Sequence, residues 1–523
     1  MITESTLLKN RYFDSVFLMR VSKLLSEQPG INYAAVVMGT PKNIQILYGA
    51  GYEGIDELGA SRNDLIVSLK ADTADEARLV IGSLERFFVR DSARLAIQTV
   101  RSLRQALAQQ PESNIALVSV PGEFAAWEAR QALYNGLNVF LFSDHVSTED
   151  ELSLKQLAMG KGLLLMGPDC GTSIIGGVGL GFANAVRRGQ IGVIGASGTG
   201  IQEVTSMAHR LGAGISHAIG VGGRDLSDEI GGISTLQAMD VLDRDPNTSV
   251  ILLVSKPPGA TTISRVNERI ATCSKPVVTC YLGSWDTGSP PLDNVSTTHN
   301  LDDAATVAVR LVGGVGASHD SIASPDLARR LKARQRASQK FVRGVFSGGT
   351  LCYQAQYVLK SAGLSVRSNE PLEQGMELQD SSVSIEHTLV DMGADEFTEG
   401  KPHPMVDSTQ RIQRILAESE DPKVAVILLD CVFGYVAAEN PGRDISPAIT
   451  EAQRIAEQRG DYLAIVVSIC GTELDYQGLK AQVNSLEEAG AIVFTSAFQA
   501  AQFAVQLVEG LSLIHISEPT RLG

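Results

Sequence analysis

The sequence lacks the features that mark several common classes of protein. Basic residues are in deficit, with 44 against 59 acidic residues and a net charge of −15, so nonspecific binding to nucleic acid or to an anionic membrane is not expected. No apolar run reaches the roughly 18 residues of a membrane span. The first residues also lack the basic and then apolar segments of a secretory signal. We therefore expect a cytoplasmic protein that binds small molecules and protein partners.

Cysteine is scarce, and its spacing excludes two further classes. No Cys-X-X-Cys pair occurs, and the cysteines stand mostly in or beside apolar runs. This pattern is not that of a disulfide framework or of a zinc site, and it predicts reduced thiols and no metal centre. The six cysteines are Cys170, Cys273, Cys280, Cys352, Cys431 and Cys470.

The chain has 523 residues, which is too long for one hydrophobic core. Residues 11–95 alternate helical and strand patterns, which predicts a small α+β module of the split βαβ, ferredoxin-like kind. From residue 114 apolar runs alternate with amphipathic helices, which predicts an α/β fold with doubly wound parallel sheets. The predicted segments are the module with a connecting helix over 1–112, α/β domains over 113–188, 189–312 and 339–510, and a connector over 313–338.

The last residues differ in character from the rest. Residues 511–523 include LSLIHISEPTR, which reads as the translation of a sequencing adaptor. We exclude this segment from reasoning about the fold and expect the natural sequence to be interrupted near Gly510. His515 then has no chemical role.

A Gly-rich turn follows the apolar run that ends at Ala196. The turn is Ser197-Gly198-Thr199-Gly200, and a helical pattern comes directly after it. The unpaired N–H groups of a helix start and the positive end of its dipole favour an anion such as phosphate. The hydroxyls of Ser197 and Thr199 can bond a phosphate, or they can simply cap the helix.

The order of motifs from residue 189 recurs from residue 339. In the second copy the turn is Ser347-Gly348-Gly349-Thr350, and the run SVILLV is echoed by VAVILL. The repeat predicts two similar α/β domains. If their helix starts face each other, one anion is held between two dipoles. The alternative is a duplication with two independent sites.

Asp169-Cys170-Gly171 ends another apolar run. Ligands of α/β sheets bind at the carboxyl ends of the strands, which makes these residues candidates for the ligand site. Cys170 has no neighbouring base in the sequence, and Asp169 would raise the pKa of its thiol. A packed thiol is therefore the favoured alternative for Cys170.

Three cationic or titratable side chains are candidate catalytic residues. Arg224 can clamp a carboxylate or phosphate, or form an ion pair with an aspartate of its own loop. Lys256 can neutralise developing charge, or be a solvated residue at a strand end. His403 lies between two prolines and can act as an acid, base or ligand, or be structural. His217 and His387 are interpreted as core or edge histidines.

Taken in order, these motifs resemble those of a known family. MGPDCGTS, IGVIGASGTGIQE, GVGGRDLS, SGGTL, KPHPMVD and CGTELD are similar to the FdrA-type acyl-CoA synthetase proteins over nearly all of residues 10–510. The first copy resembles the α subunit of succinyl-CoA synthetase, and the second resembles the carboxy-terminal domain of its β subunit. The resemblance implies a CoA-binding-like domain over 113–188, two flavodoxin-type domains after it, and partner subunits. It also implies that both turns face phosphate, an acyl phosphate or carbamoyl phosphate, with CoA as a further ligand.

The chain departs from the ligase pattern where the family carries its phosphorylated histidine. In place of a Gly-His-Ala-Gly-type loop it has SWDTGSPPLDNVSTTH, whose histidine is His299. Ser255-Lys256 replaces a supporting glutamate, the amino-terminal CoA fingerprint is absent, and there is no P-loop signature.

These departures bear on which reaction the resemblance implies. FdrA-like proteins are implied to transfer a carbamoyl group in anaerobic purine (allantoin) breakdown, converting oxalurate and phosphate to oxamate and carbamoyl phosphate. That reaction needs no phosphohistidine. The alternatives are an ADP-forming acid–CoA ligase whose nucleotide domain is on another chain, and a non-catalytic, metabolite-sensing regulator.

Overall fold

The computed structural model describes residues 2–11, 13, 15–88, 100, 102–283, 294–314 and 325–509. The predicted tail over 511–523 lies outside the described residues, as does part of the predicted connector. Contacts divide the chain into two compact units. The first unit is Met1–Ser113 with Asp395–Asp407, and the second is Asn114–Ala394 with Ser408–Gly523.

The first unit contains a three-stranded sheet in which β3 lies between β1 and β2 and is antiparallel to both. β1 and β2 are therefore parallel and joined by α1, which is the split βαβ arrangement that the sequence predicts. The sequence did not predict β1, which precedes the pattern found over residues 11–95. The elements are β1 (Ile2–Leu8), α1 (Ser15–Ser26), β2 (Ile31–Met38), α2 (Pro41–Gly49), β3 (Leu65–Ala71), α3 (Ala74–Gly82), α4 (Leu103–Gln109) and the 3₁₀ turns Asp56–Leu58 and Leu84–Phe87.

The spacing of apolar residues in α1 explains how this unit buries its core. Leu18, Val21 and Leu25 share one helix face and pack with Val67 and Leu69 of β3.

The segment 395–407 joins the first unit from far along the chain. Within this unit Gly400, at φ 68°, lies so close to Ile46 of α2 that an added Cβ would be 2.4 Å from Ile46 Cγ2. The sequence analysis places these residues in the α/β domain over 339–510, whereas their contacts group them with the first unit.

The second unit begins with a small parallel sheet in the order β4-β5-β6. The helix that follows β5 ends at Gly162, whose left-handed conformation (φ 67°) suits glycine. The elements are β4 (Ile115–Val118), α5 (Gly122–Tyr134), β5 (Asn138–Leu141), α6 (Thr148–Lys161) and β6 (Leu165–Met166).

A seven-stranded sheet follows, in the order β13-β12-β11-β9-β10-β7-β8. Five of its strands are parallel, whereas β7 and β8 form an antiparallel hairpin on the β10 edge. The hairpin belongs to this sheet, although the sequence analysis includes it in the preceding domain. The elements are β7 (Thr172–Ile175), β8 (Val178–Gly181), β9 (Arg188–Gly195), α7 (Gly198–Arg210), β10 (Ile215–Gly220), α8 (Ile233–Arg244), β11 (Val250–Ser255), α9 (Ala260–Ala271), β12 (Val277–Tyr281), β13 (Val295–Thr298) and α10 (Leu301–Leu311).

The last sheet has six parallel strands in the order β15-β16-β14-β17-β18-β19. With the preceding sheets it confirms the α/β fold with parallel sheets. The elements are α11 (Pro325–Lys332), β14 (Phe341–Phe346), α12 (Gly349–Ser361), β15 (Val366–Arg367), β16 (His387–Asp391), α13 (Asp395–Thr398, in the first unit), α14 (Thr409–Ser419), β17 (Val424–Val432), α15 (Pro441–Gln458), β18 (Ala464–Cys470), α16 (Leu479–Glu488), β19 (Ile492–Phe494) and α17 (Ala497–Glu509).

Hydrogen bonds connect segments that adjoin the two large sheets within the second unit. Gln202 Nε2 of α7 donates to the carbonyl of Phe433 at 2.8 Å, and the carboxylate of Asp475 accepts from Ala185 N, also at 2.8 Å. These bonds fix the two repeats against each other. None of the helices in the described part of the chain has the length and apolarity to span a bilayer.

Candidate functional site

The first Gly-rich turn joins β9 to α7. Ser197 is the N-cap of α7, in extended conformation, and its Oγ accepts from Gly200 N at 3.2 Å. An added Cβ at Gly200 would be 3.2 Å from Val254 Cγ1 and 3.3 Å from Thr350 Cγ2. Glycine at this position therefore allows the start of α7 to approach the second repeat closely.

The second turn joins β14 to α12 and already holds a carboxylate. Asp430 of β17 is fully buried and accepts from Ser347 N at 2.8 Å, from Ser347 Oγ at 2.9 Å and from Gly348 N at 2.8 Å. Arg411 of α14 donates to Asp430 Oδ1 at 2.9 Å. Asp430 therefore occupies the side chain of Ser347 and the N–H groups of Ser347 and Gly348. An anion at this turn can bind only the N–H groups that follow, those of Gly349 and Thr350.

Sequence reasoning did not identify Asp430 or Arg411. The one signal for Asp430 is a charged residue inside the apolar run VAVILLDCV, where a buried carboxylate requires a partner. Arg411 carries no comparable signal, because its pairing with Asp430 depends on how α14 packs.

The two turns are in direct contact, and we call residues 197–200 and 347–350 the paired turns. The hydroxyls of Ser197 and Thr350 are hydrogen-bonded to each other, and an added Cβ at Gly348 would be 2.8 Å from Thr199 Cγ2. Two helix starts with positive dipole ends therefore meet in one compact unit. Within the described residues, five backbone N–H groups at the paired turns have no acceptor: those of Ser197, Gly198, Thr199, Gly349 and Thr350.

Asp391, at the end of β16, lies against the second turn. An added Cβ at Gly349 would be 2.4 Å from Asp391 Oδ2, and Oδ1 accepts from Gly393 N at 2.8 Å. Burial raises the pKa of Asp391 to about 6, with a further rise from Asp430, against the opposing effects of the Gly393 hydrogen bond and of Lys256. Asp391 is thus a carboxyl that changes charge near neutral pH.

Lys256, one of the candidates from the sequence, is in this neighbourhood. It directly follows β11, its Nζ is 3.8 Å from Glu370 Oε2, and it stands 5.4 Å from the centre of the Tyr353 ring. Its charge acts on Asp391. Lys256 therefore supplies the positive charge that partly balances the carboxylates around the second turn.

The segment Asp169-Cys170-Gly171 divides between the site and the core. An added Cβ at Gly198 would be 3.6 Å from Gly171 Cα and 3.4 Å from Thr172 Oγ1. Cys170 Sγ packs 3.4 Å from the carbonyl of Gly220, and burial raises its pKa to about 12, as in a packed thiol. Asp169 is exposed, with a positive φ of 53°.

Thr172 adds a feature that the sequence analysis missed. Its side chain is 1 % exposed, and its Oγ1 has no hydrogen-bond partner among the described residues. A buried hydroxyl without a partner is costly. This unpartnered hydroxyl lies beside Gly198, at the start of α7.

Arg224 is directed to α6. Its Nε donates to Glu151 Oε2 at 3.0 Å, and its Nη2 donates to the carbonyl of Val146 at 2.6 Å. The ion pair is therefore with Glu151 and not with an aspartate of its own loop, because Asp225 is buried and bound to Lys155 at 2.6 Å.

The histidines have structural contacts. His403 belongs to the first unit, whereas every other candidate belongs to the second, and its Nδ1 accepts from Met405 N at 3.2 Å. The Nδ1 atoms of His217 and His387 also accept from backbone N–H groups, at 3.1 and 3.2 Å. His299 is exposed, and its carbonyl accepts from Gly283 N.

Three family models match the chain. The model described as "CoA-ligase" matches residues 345–507, "CoA binding domain" matches 186–280, and "AllF, heavy metal-associated domain" matches 1–102. The CoA-binding match falls on the repeat that carries the first turn, whereas the sequence analysis gives that character to 113–188. Residues 1–102 contain neither Cys nor His, which are the ligands that soft and borderline metals prefer.

Individual proteins also match. The uncharacterized protein YahF of Escherichia coli K12 is 43% identical over 491 residues, which are 93% of this chain and 95% of that protein. The ADP-forming succinate–CoA ligase α subunit of Methanothermobacter thermautotrophicus is 24% identical over 36% of this chain and 64% of its own length. A dinucleotide-forming acetyl-coenzyme A synthetase 1 of Ca. Korarchaeum cryptofilum aligns over 75% of this chain and 82% of its own, with a TM-score of 0.31 and 14% identity.

Proposed function

Because this chain belongs to the acyl-CoA synthetase-like family, together with YahF, we propose that it transfers an acyl or carbamoyl group to or from phosphate at the paired turns. One observation carries the proposal. The starts of α7 and α12 touch through Ser197 and Thr350, and five N–H groups there lack acceptors within the described residues.

The paired turns suit a phosphate dianion. Each helix start contributes about half a positive charge, and each charge–dipole contact contributes roughly 0.3–2 kcal/mol. Lys256 adds a cation beside the second turn, where charge develops as a phosphate oxygen attacks a carbonyl carbon. The site thus combines donors for phosphate with electrostatic stabilisation of the reacting group.

The specific reaction that we propose is oxalurate plus phosphate to oxamate plus carbamoyl phosphate, carried out with partner subunits. This reaction needs no phosphorylated histidine, and the sequence between β12 and His299 contains no histidine. It also needs no nucleotide, and the chain has no P-loop signature. Phosphate or carbamoyl phosphate is then the ligand of the paired turns.

A second candidate is an ADP-forming acid–CoA ligase whose nucleotide domain is on another chain. The matches to "CoA binding domain" over 186–280 and to succinate–CoA ligase α subunits favour it. CoA would then be a further ligand of the first repeat. Incubation of the assembly with labelled ATP distinguishes the two candidates, because only the ligase forms an acid-labile, alkali-stable phosphoenzyme on histidine.

The proposal is tested with the full chain, co-purified with the products of its neighbouring genes. Oxalurate and phosphate are supplied, and carbamoyl phosphate is followed by ³¹P NMR. We expect its resonance to appear without ATP. Phosphate binding without turnover would instead identify a non-catalytic, metabolite-sensing protein.

The paired turns are tested with Gly348→Ala. The new Cβ would be 2.8 Å from Thr199 Cγ2 and 3.2 Å from Asp430 Oδ2, so it forces the turns apart, and we expect phosphate affinity to fall at least tenfold. Gly160→Ala in α6 is the matched control, because nothing lies within 4 Å of its added Cβ. Wild-type phosphate affinity in Gly348→Ala would refute binding at the paired turns.

A further inference from the structure

Asp391 lies beside the second turn, and one of its two carboxylate oxygens accepts no hydrogen bond within the described residues. It is 7 % exposed, and its Oδ1 accepts from Gly393 N. Its Oδ2 has no hydrogen-bond partner among the described residues and is directed at Gly349, where the free N–H groups of α12 begin. Oδ2 thus lies directly against the start of α12, beside N–H groups that have no acceptor, so an anion bound at this helix start would also contact Asp391.

The other side of the paired turns gives an independent sign of a ligand. Thr172 Oγ1 is buried without a partner and lies beside Gly198 at the start of α7. Unpartnered polar groups therefore border both helix starts, as in a site whose occupant completes the hydrogen bonds.

The charged and titratable groups around Asp391 come from four elements or their ends. Asp430 and Glu370 disfavour the ionisation of Asp391 and Lys256 favours it, whereas burial holds the pKa of the Cys352 thiol well above its usual value. These groups are Asp430 of β17, Glu370 after β15, Cys352 of α12 and Lys256 after β11.

We propose that Asp391 is a catalytic residue that carries a proton between the attacking phosphate and the leaving nitrogen. This inference rests on the proposed function. A phosphate oxygen of HPO₄²⁻ forms a bond to the carbamoyl carbon, and the bond from that carbon to the oxamate nitrogen breaks. The protonated carboxyl gives its proton to the nitrogen and receives the proton of the phosphate. The carboxyl returns to its starting state, and no co-reactant is consumed.

The first test measures protons and needs no turnover. Sulfate, which does not titrate near neutral pH, is the probe for the phosphate position, and calorimetry at pH 7 in buffers of different ionisation enthalpy measures proton uptake on binding. An anion at Gly349 faces Asp391 and raises its proton affinity. We expect uptake of up to one proton per sulfate in the wild type and none in Asp391→Asn.

Asp302→Asn is the matched control. Asp302 of α10 is also buried, its pKa is also raised, and it is bonded to Ser496. Proton uptake that survives in Asp391→Asn, or that is lost in Asp302→Asn instead, overturns the assignment of Asp391 and leaves the proposed function intact. Absence of both sulfate and phosphate binding overturns the proposed function as well.

The second test separates proton transfer from positioning. With oxalurate and phosphate, Asp391→Asn should lose about 10²–10⁴ in kcat, which is the range for removal of a general acid or base, while KM stays within a few fold. With p-nitrophenyl carbamate as the carbamoyl donor, whose leaving group needs no proton, the variant should lose less than tenfold. Equal losses with both donors would overturn the proton-transfer role. Partial recovery in Asp391→Glu, which restores a carboxyl, would support it.

Discussion

At the scale of single residues, buried carboxylates distinguish this protein. Asp430 is held by the second turn and by Arg411, whereas Asp391 and Asp302 are buried with raised pKa values of about 6 and about 7. The sequence identified Ser197, Thr199 and Thr350 through the Gly-rich pattern around them. It did not identify the aspartates, because no local pattern tells a buried carboxylate from an exposed one.

The pKa of Asp302 gives a prediction about stability and pH. Burial raises the pKa of Asp302 from 3.8 to about 7, so the folded protein favours the neutral carboxyl more than the unfolded chain does. The stability that this gives the fold is fully present below the unfolded pKa and is lost as the pH rises from about 4 to about 7. Asp302→Asn removes this loss. At pH 7.5 we expect the variant to be more stable than the wild type by up to about 4 kcal/mol, with a correspondingly higher Tm. The difference should shrink towards pH 4.

Thermal unfolding at several pH values between 4 and 8 measures this difference. Curves of Tm against pH that run parallel for the two proteins would contradict the raised pKa of Asp302.

At the scale of elements, α7 and α12 bring the turns together, and α6 holds the loop before α8 through a buried ion network. Lys155 Nζ of α6 is 2.6 Å from Asp225 Oδ1 and 2.8 Å from Glu151 Oε1, and it donates to the carbonyl of Val221. Strongly periodic elements such as α7 were predictable. The sequence did not indicate that the hairpin β7–β8 joins the seven-stranded sheet, because β7 pairs with β10 across a long stretch of sequence.

Removal of the cation in this network should be costly. Lys155→Met leaves the buried Asp225 without its counter-ion and leaves Glu151 with Arg224 alone, and we expect a loss of about 3–5 kcal/mol in the free energy of unfolding of the second unit. Lys161→Met, at the exposed end of the same helix, should change it by less than about 0.5 kcal/mol. Urea unfolding measures both, and similar values for the two variants would show that the network contributes nothing.

At the scale of the whole molecule, two similar repeats are fixed against each other within the second unit. Asp475, which is 5 % exposed, accepts from Thr472 N of its own repeat and from Ala185 N and Asn184 Nδ2, which lie between β8 and β9 of the seven-stranded sheet. Arg210 of α7 also donates to the carbonyl of Gly471 at 2.8 Å. These bonds and the contact between the paired turns both join the two large sheets of the second unit.

Loss of the junction should separate the unfolding of the repeats. In Asp475→Ala three donors lose their acceptor, and we expect differential scanning calorimetry to resolve two transitions within the second unit where the wild type has one. Asp380→Ala is the control, because Asp380 is exposed and accepts from Ser382 two residues away. A single unchanged transition in Asp475→Ala would mean that other contacts hold the repeats together.

The sequence by itself determined the repeat, the two Gly-rich turns and the parallel α/β character. Each of these depends on a local pattern: the recurrence of motifs, the glycines at helix starts, and the apolar runs that alternate with helices. Only the tertiary structure decided that the turns touch, that Asp430 occupies part of the second one, that Asp391 and Lys256 border it, and that Arg224 pairs with Glu151. These relations join residues far apart in the chain. They depend on how sheets and helices pack, which no short stretch of sequence records.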